Sequence, residues 1–282
     1  MRLTPEAGLS QGAGVTGRFL RIFRLRRLWS LAALASVLLP AYGSARGEPA
    51  AKTAPAEPAA SPVPPASRQL VMVRGANWNS TSGKLTRYER VGDGAWSAVG
   101  EPIAVNLGRH GMAWGRGLQA EPQIGMQKRE GDGRSPAGVF DLATAFGYEA
   151  EPPEGARFPY VHLRESTVCV EELRSKDYNH IIDTPLANKN SWERRSAMLR
   201  PDGLFRLGIV VQQNAPDTRP GAGSCVFLHI WRGPHEPTSG CTAMPEERVR
   251  ETVRWLDPKL RPVLVQLPDL EYVKLRERWQ LP

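Results

Sequence analysis

The chain has 282 residues, 23% charged and 41% hydrophobic, enough for one medium domain or two small ones together with a targeting segment. Its 27 glycines and 25 prolines favour a loop-rich, largely β fold, and a mean hydropathy of -0.38 excludes several membrane spans. The formal charge of +8 suits a nucleic-acid partner, but residues 1–45 hold six of the arginines and one acid, and without them the charge falls to +3, so that class loses its support.

Residues 1–45 read as a secretory signal peptide. Arg18, Arg21, Arg24, Arg26 and Arg27 make a positive start, and Leu28 to Leu39 is an apolar run too short to span a bilayer comfortably. Ala41-Tyr42-Gly43 and Gly43-Ser44-Ala45 offer cleavage sites between small residues. Export to the periplasm is expected, with no stable membrane span after cleavage. Leu25 stands before Arg26-Arg27 where a twin-arginine signal has Ser or Thr, and no cysteine follows the apolar run to carry a lipid. Residues 46–68 are rich in Ala and Pro and nearly devoid of large apolar side chains, so they are expected to be a disordered tether, with the folded domain over 69–282.

Period-two patterning around Leu70 and Met72 and over Lys84–Val91, the Asp93-Gly94 turn signal and the run Pro102–Leu107 predict an antiparallel meander. Phe205–Gln212 and Ser224–Ile230 read as further strands, and Val168-Cys169-Val170 as a strand or its end. One clear helix follows Met244. Pro245 suits its first turn, Glu246 and Glu247 its positive end, and Val249, Val253 and Leu256 one apolar face, before Asp257-Pro258 stops it. A last strand, Pro262–Leu267, and a short amphipathic tail close the chain.

Three cysteines in an exported protein leave one without a partner inside the chain, or pair between chains. In GSCVFLHIWRGPHEPTSGCTAMPEE, His229 sits near a strand end and Cys241 follows a Thr238-Ser239-Gly240 turn ahead of the helix. A helix N-terminus and a nearby imidazole both favour thiolate, the nucleophilic form, and the Gly240 and Cys241 amides are placed to face a developing oxyanion. A disulfide between Cys169 and Cys225 is expected, leaving Cys241 free; the alternative is two buried free thiols. Cys225 and His229 share a strand face, but no tight Cys-x-x-Cys pair accompanies them, so no metal is expected.

These residues resemble the YkuD-type L,D-transpeptidase catalytic domain of bacterial cell walls. His229, Thr238, Gly240 and Cys241 match its His and Ser/Thr-His-Gly-Cys signature. Ser135-Pro136-Ala137-Gly138-Val139-Phe140 is similar to its Thr-Pro-x-Gly-x-Phe segment, and the GMAWGRG, YNHIID and GSCVFLHIWRGP runs resemble a Gram-negative branch. Ser239 stands where a second His is expected, and Ala243 replaces an Arg or Asn, which makes Arg232 the candidate carboxylate contact, with Thr238 and Ser239 as further substrate-binding candidates. The resemblance implies a mainly β sandwich or barrel with one helix after the cysteine, and a cell-wall enzyme needing no cofactor. It implies that Cys241 attacks a peptidoglycan stem peptide with His229 as its base, forming cross-links through a thioester. Hydrolysis of that thioester, an L,D-carboxypeptidase activity, and an idle peptidoglycan-binding module are the alternatives. The order His229 before Cys241 argues against a papain-like protease, in which the Cys precedes the His.

Overall fold

A computed structural model describes residues 60–120, 123–184 and 196–282, so the signal segment and most of the tether lie outside the described residues. The meander is present as β1 (Gln69–Gly75), β2 (Ser82–Glu89) and β3 (Ser97–Asn106), joined antiparallel. β1 is apolar almost throughout because it has a strand on both sides, β2 antiparallel on one and β12 (Val263–Pro268) parallel on the other. Between β2 and β3 the Gly94 amide donates to the Val91 carbonyl at 3.0 Å, making the turn that Asp93-Gly94 signals.

The remaining strands are β4 (Met112–Trp114), β5 (Ser135–Gly147), β6 (Tyr160–His162), β7 (Thr167–Cys169), β8 (Ile181–Asp183), β9 (Leu207–Val211), β10 (Phe227–Ile230) and β11 (Thr242–Met244). They run in the order β12–β1–β2–β3–β11–β10–β9–β5, and β5 pairs back on β12, so the sheet closes on itself as a barrel. Closure removes the edges an open sheet would expose. β4 and β6 extend β5, and β7–β8 form a separate two-stranded sheet. The mainly β barrel is therefore the expected fold class. Its interior holds Leu70, Leu85, Phe140, Leu228 and Val265, all essentially without exposure.

Helix α1 (Glu246–Trp255) buries Val249 and Val253 on the barrel, and Leu256 closes it. Pro245 caps it rather than opening its first turn, and a short helix α2 (Asp269–Leu275) takes the place of the amphipathic tail. Two expectations move. Ser224–Val226 are not strand, because Cys225 sits at φ +54°, outside the extended region, and β10 begins at Phe227. The packed chain also starts ahead of Gln69: Val63 is 4% exposed within the core, and the Ser61 hydroxyl donates to the Trp279 carbonyl at 2.6 Å. Prolines around Val63 already restrict the backbone, which lowers the entropy lost when one apolar anchor docks.

Cys169, ending β7, and Cys225, ahead of β10, are joined in a disulfide with Cα atoms 6.0 Å apart, and Cys241 is free. Near it a second apolar cluster gathers Phe146, Phe227, Leu163 and Met198, with Phe146 and Phe227 edge to face at 5.0 Å.

One buried side chain stitches three strands. Gln266 of β12, without exposure, donates to the Pro136 carbonyl of β5 at 2.7 Å and accepts from the Thr242 hydroxyl of β11 at 2.7 Å. Replacing it by an isosteric apolar residue leaves both partners buried and unpaired, a loss of about 2–4 kcal/mol. Gln266→Met is expected to lower the urea midpoint accordingly, and an unchanged midpoint would show that those partners find water instead.

Candidate active site

The Thr238–Cys241 turn is built around one backbone atom. The Cys241 carbonyl accepts from the Thr238 hydroxyl at 2.6 Å and from the Ser135 hydroxyl at 2.9 Å. Ser135, fully buried, in turn accepts from the Gly108 amide at 2.9 Å, and Thr238 accepts from the Gly240 amide at 3.0 Å. The two sequence segments that carry the resemblance therefore meet at this carbonyl. Gly240 holds φ +147°, and a Cβ there would stand 3.1 Å from the Arg134 carbonyl oxygen, so the turn needs glycine for both conformation and space. Thr238 is consumed by this construction, and Ser239 is exposed, accepting from Arg109 at 3.2 Å.

Cys241 leads directly into β11, which pairs in parallel with β10 so that His229 lies opposite Ala243 and Leu228 opposite Thr242. Because strand side chains alternate, Phe227 and His229 emerge on one face. The Phe227 amide donates to the Cys241 sulfur at 3.4 Å, Cys241 packs on the apolar cluster that holds the Phe227 side chain, and the thiol donates to the Cys225 carbonyl at 3.6 Å. His229 is 6% exposed and stacks edge-on against Phe205 at 5.3 Å. Its Nδ1 lies 2.8 Å from the Ile230 carbonyl, an acceptor only, so Nδ1 carries the proton and Nε2 presents a lone pair. His229 and Cys241 line one cleft of about 660 Å³, with Arg200, Arg232, Lys128 and Glu130.

Burial dominates the electrostatics. Desolvation pushes the His229 pKa down to about 4, with the positive charge of Arg200 adding to it against the Ile230 hydrogen bond. Desolvation pushes Cys241 up to about 11, opposed by the Phe227 amide and the charges of Lys128 and Arg200. These shifts leave both groups uncharged at neutral pH, so burial outweighs the helix end and the imidazole that favour thiolate. The helix does not offset burial: β11 stands between Cys241 and α1, a span of about 10 Å that exceeds the reach of a helix dipole. The Gly240 amide, occupied by Thr238, is also not directed at an oxyanion, whereas among the described residues the Cys241 amide has no hydrogen-bond partner.

Arg232 lies in the cleft but 61% of its side chain is exposed, and it reaches Asp202 at 3.3 Å. Asp202 is gripped more firmly by Arg200, through Nε at 3.0 Å and Nη2 at 2.5 Å, and the Arg200 guanidinium sits 5.1 Å over Phe205. Sequence reasoning missed Arg200, and also Lys128, whose 5%-exposed side chain pairs with Asp132 at 2.8 Å beside the Gly240 turn. No local motif ties either to the cysteine; only the fold does. Tyr178 and Asn179 serve the cleft from behind, the Asn179 side chain accepting from the Cys225 amide at 2.9 Å.

The family model YkuD, described as the L,D-transpeptidase catalytic domain, matches residues 78–265. No curated protein matches the chain.

Between its unfolded pKa near 6.5 and its folded value of about 4, His229 binds a proton more readily in the unfolded chain. Its contribution to stability is thus complete above pH 6.5, declines as the pH falls towards 4, and changes no further below. Arg200→Gln removes a neighbouring positive charge and is expected to raise the His229 pKa, read from the imidazole proton shifts by NMR titration. A titration midpoint that does not move would separate Arg200 from the base.

Proposed function

The chain belongs to the YkuD family of L,D-transpeptidase catalytic domains, and from that membership we propose that it is an exported cysteine acyltransferase that cross-links peptidoglycan stem peptides. The observation that carries this reading is the placement of a free thiol and a neutral, Nε2-accepting imidazole on one face of one cleft.

In this mechanism the thiol is the resting form. As Cys241 Sγ attacks the carbonyl carbon of the third stem residue, its proton passes to His229 Nε2. The tetrahedral oxyanion is held by the Cys241 amide. When the intermediate collapses, the bond to the terminal D-alanine breaks, the departing nitrogen takes the proton from His229, and a thioester remains on Cys241. The amine of a neighbouring stem then attacks the thioester carbon and gives up a proton to His229, and the sulfur leaves and is reprotonated. A base of low pKa suits the cycle, since it stays unprotonated down to about pH 4 and returns its proton readily to a more basic amine.

Water in place of the second amine makes the same site a carboxypeptidase. Arg200, fixed by Asp202 and Phe205 inside the cleft, is better placed than the exposed Arg232 to meet a substrate carboxylate.

Incubating the protein with purified stem tetrapeptide and analysing the products by mass spectrometry tests the reading. Cross-linked dimer is the expected product, tripeptide alone indicates the carboxypeptidase, and unchanged tetrapeptide indicates a binding module. Cys241→Ala is expected to abolish D-alanine release while keeping the fold, and D-alanine release near the unsubstituted rate would overturn the mechanism. The rate of Cys241 acylation, read in single turnover without an acceptor amine, should hold from neutral pH down to about 4 and fall below it as His229 protonates; an acid limb near 6.5 would contradict the buried base.

A further inference from the structure

We propose that Glu130 reads a primary ammonium group on the peptide held in the cleft, and so selects amine-bearing over neutral peptides. This rests on the proposed function for the identity of the peptide, not for the existence of the subsite.

Glu130 lies on the Lys128–Gly133 turn and lines the same cleft as Cys241. Its amide donates to the Gly221 carbonyl at 2.8 Å, which fixes the residue's backbone. Two neutral hydroxyls hold its carboxylate, and both fall on one oxygen: the Tyr178 hydroxyl donates to Oε2, and Ser224 donates to the same atom at 2.7 Å. Tyr178 is 2% exposed, and burial together with the carboxylate pushes its pKa up, so it remains a donor. Among the described residues no hydrogen bond reaches Oε1 and no cation pairs with Glu130.

Glu171 and Glu236 also line the cleft, and the two aspartates that hold its cations are already engaged. Asp132 takes the Lys128 ammonium, the Arg129 amide and the Arg134 amide, and Asp202 takes Arg200 and Arg232. A carboxylate oriented by neutral donors on one oxygen leaves its second oxygen for a ligand. A compact cationic donor, an alkylammonium, meets that demand, and a neutral amide in its place leaves the charge unanswered.

The position fits a peptide whose scissile carbonyl is at Cys241. Ser224 precedes Cys225, whose carbonyl accepts the Cys241 thiol at 3.6 Å, so the held carboxylate stands one residue along the chain from the nucleophile's own acceptor.

Calorimetry on the Cys241→Ala chain tests this, with L-alanyl-γ-D-glutamyl-L-lysyl-D-alanine and the same peptide acetylated on the lysine amine as probes. The free amine is expected to bind on the order of tenfold tighter than the acetylated peptide. Adding Glu130→Gln, which keeps the shape and an acceptor for both hydroxyls, should erase that ratio without weakening the acetylated peptide, and Glu130→Asp should restore part of it. No preference before the substitution, a preference that survives Glu130→Gln, or an equal loss for both peptides would overturn the assignment. D-alanine release by the unsubstituted protein is read separately, so a preserved ratio without release sinks the proposed reaction and leaves the subsite standing.

Discussion

Everything in the cleft depends on how the Cys241 backbone is held. Two hydroxyls from distant parts of the chain, Ser135 and Thr238, converge on its carbonyl, and the glycine before it accepts a conformation that side chains avoid. That anchoring fixes where β11 begins, and the parallel pairing of β11 with β10 fixes which residue of β10 faces the sulfur. A slip of one residue would turn His229 to the other face of the sheet. Ser135 matters here as a positioning group. It opens β5, the strand that closes the barrel against β12, so barrel closure and nucleophile placement share one residue.

The charges follow a consistent scheme. His229 is buried and Cys241 half-buried, and the fixed charges nearby are largely paired with one another: Lys128 with Asp132, Arg200 and Arg232 with Asp202. Such pairing lets the surroundings stabilise charge that develops during attack without needing to reorganise, while desolvation of the thiol keeps it protonated at rest. The disulfide contributes from outside the chemistry. It ties β7 to the loop carrying the strained Cys225, whose carbonyl receives the thiol and whose amide is caught by Asn179.

Much of this was legible in the sequence, for identifiable reasons. Alternation exposed β1 to β3, and helix signals around Pro245 and Asp257-Pro258 bounded α1, because local patterns follow local geometry. His229 and Cys241 stood out through their spacing and the turn between them. Barrel closure and the parallel pairs β1–β12 and β10–β11 were not legible, since they join segments far apart in sequence without a short-range signature. The same reason hid Arg200, Lys128 and Glu130, which reach the site only through the fold. The electrostatic expectation failed differently: a helix near Cys241 in sequence suggested a lowered thiol pKa, whereas the intervening strand and the surrounding aromatic rings make burial the larger effect.

The central claim is that the nucleophile rests as a neutral thiol beside a neutral imidazole and ionises only as it attacks. Ultraviolet absorbance of the thiolate, taken as the difference between the unsubstituted protein and Cys241→Ala across a pH titration, tests this most directly. The account predicts no thiolate signal at neutral pH and a single rise centred at about 11. A thiolate step in the acidic range, with His229 still protonated above it, would show a preformed ion pair and contradict it.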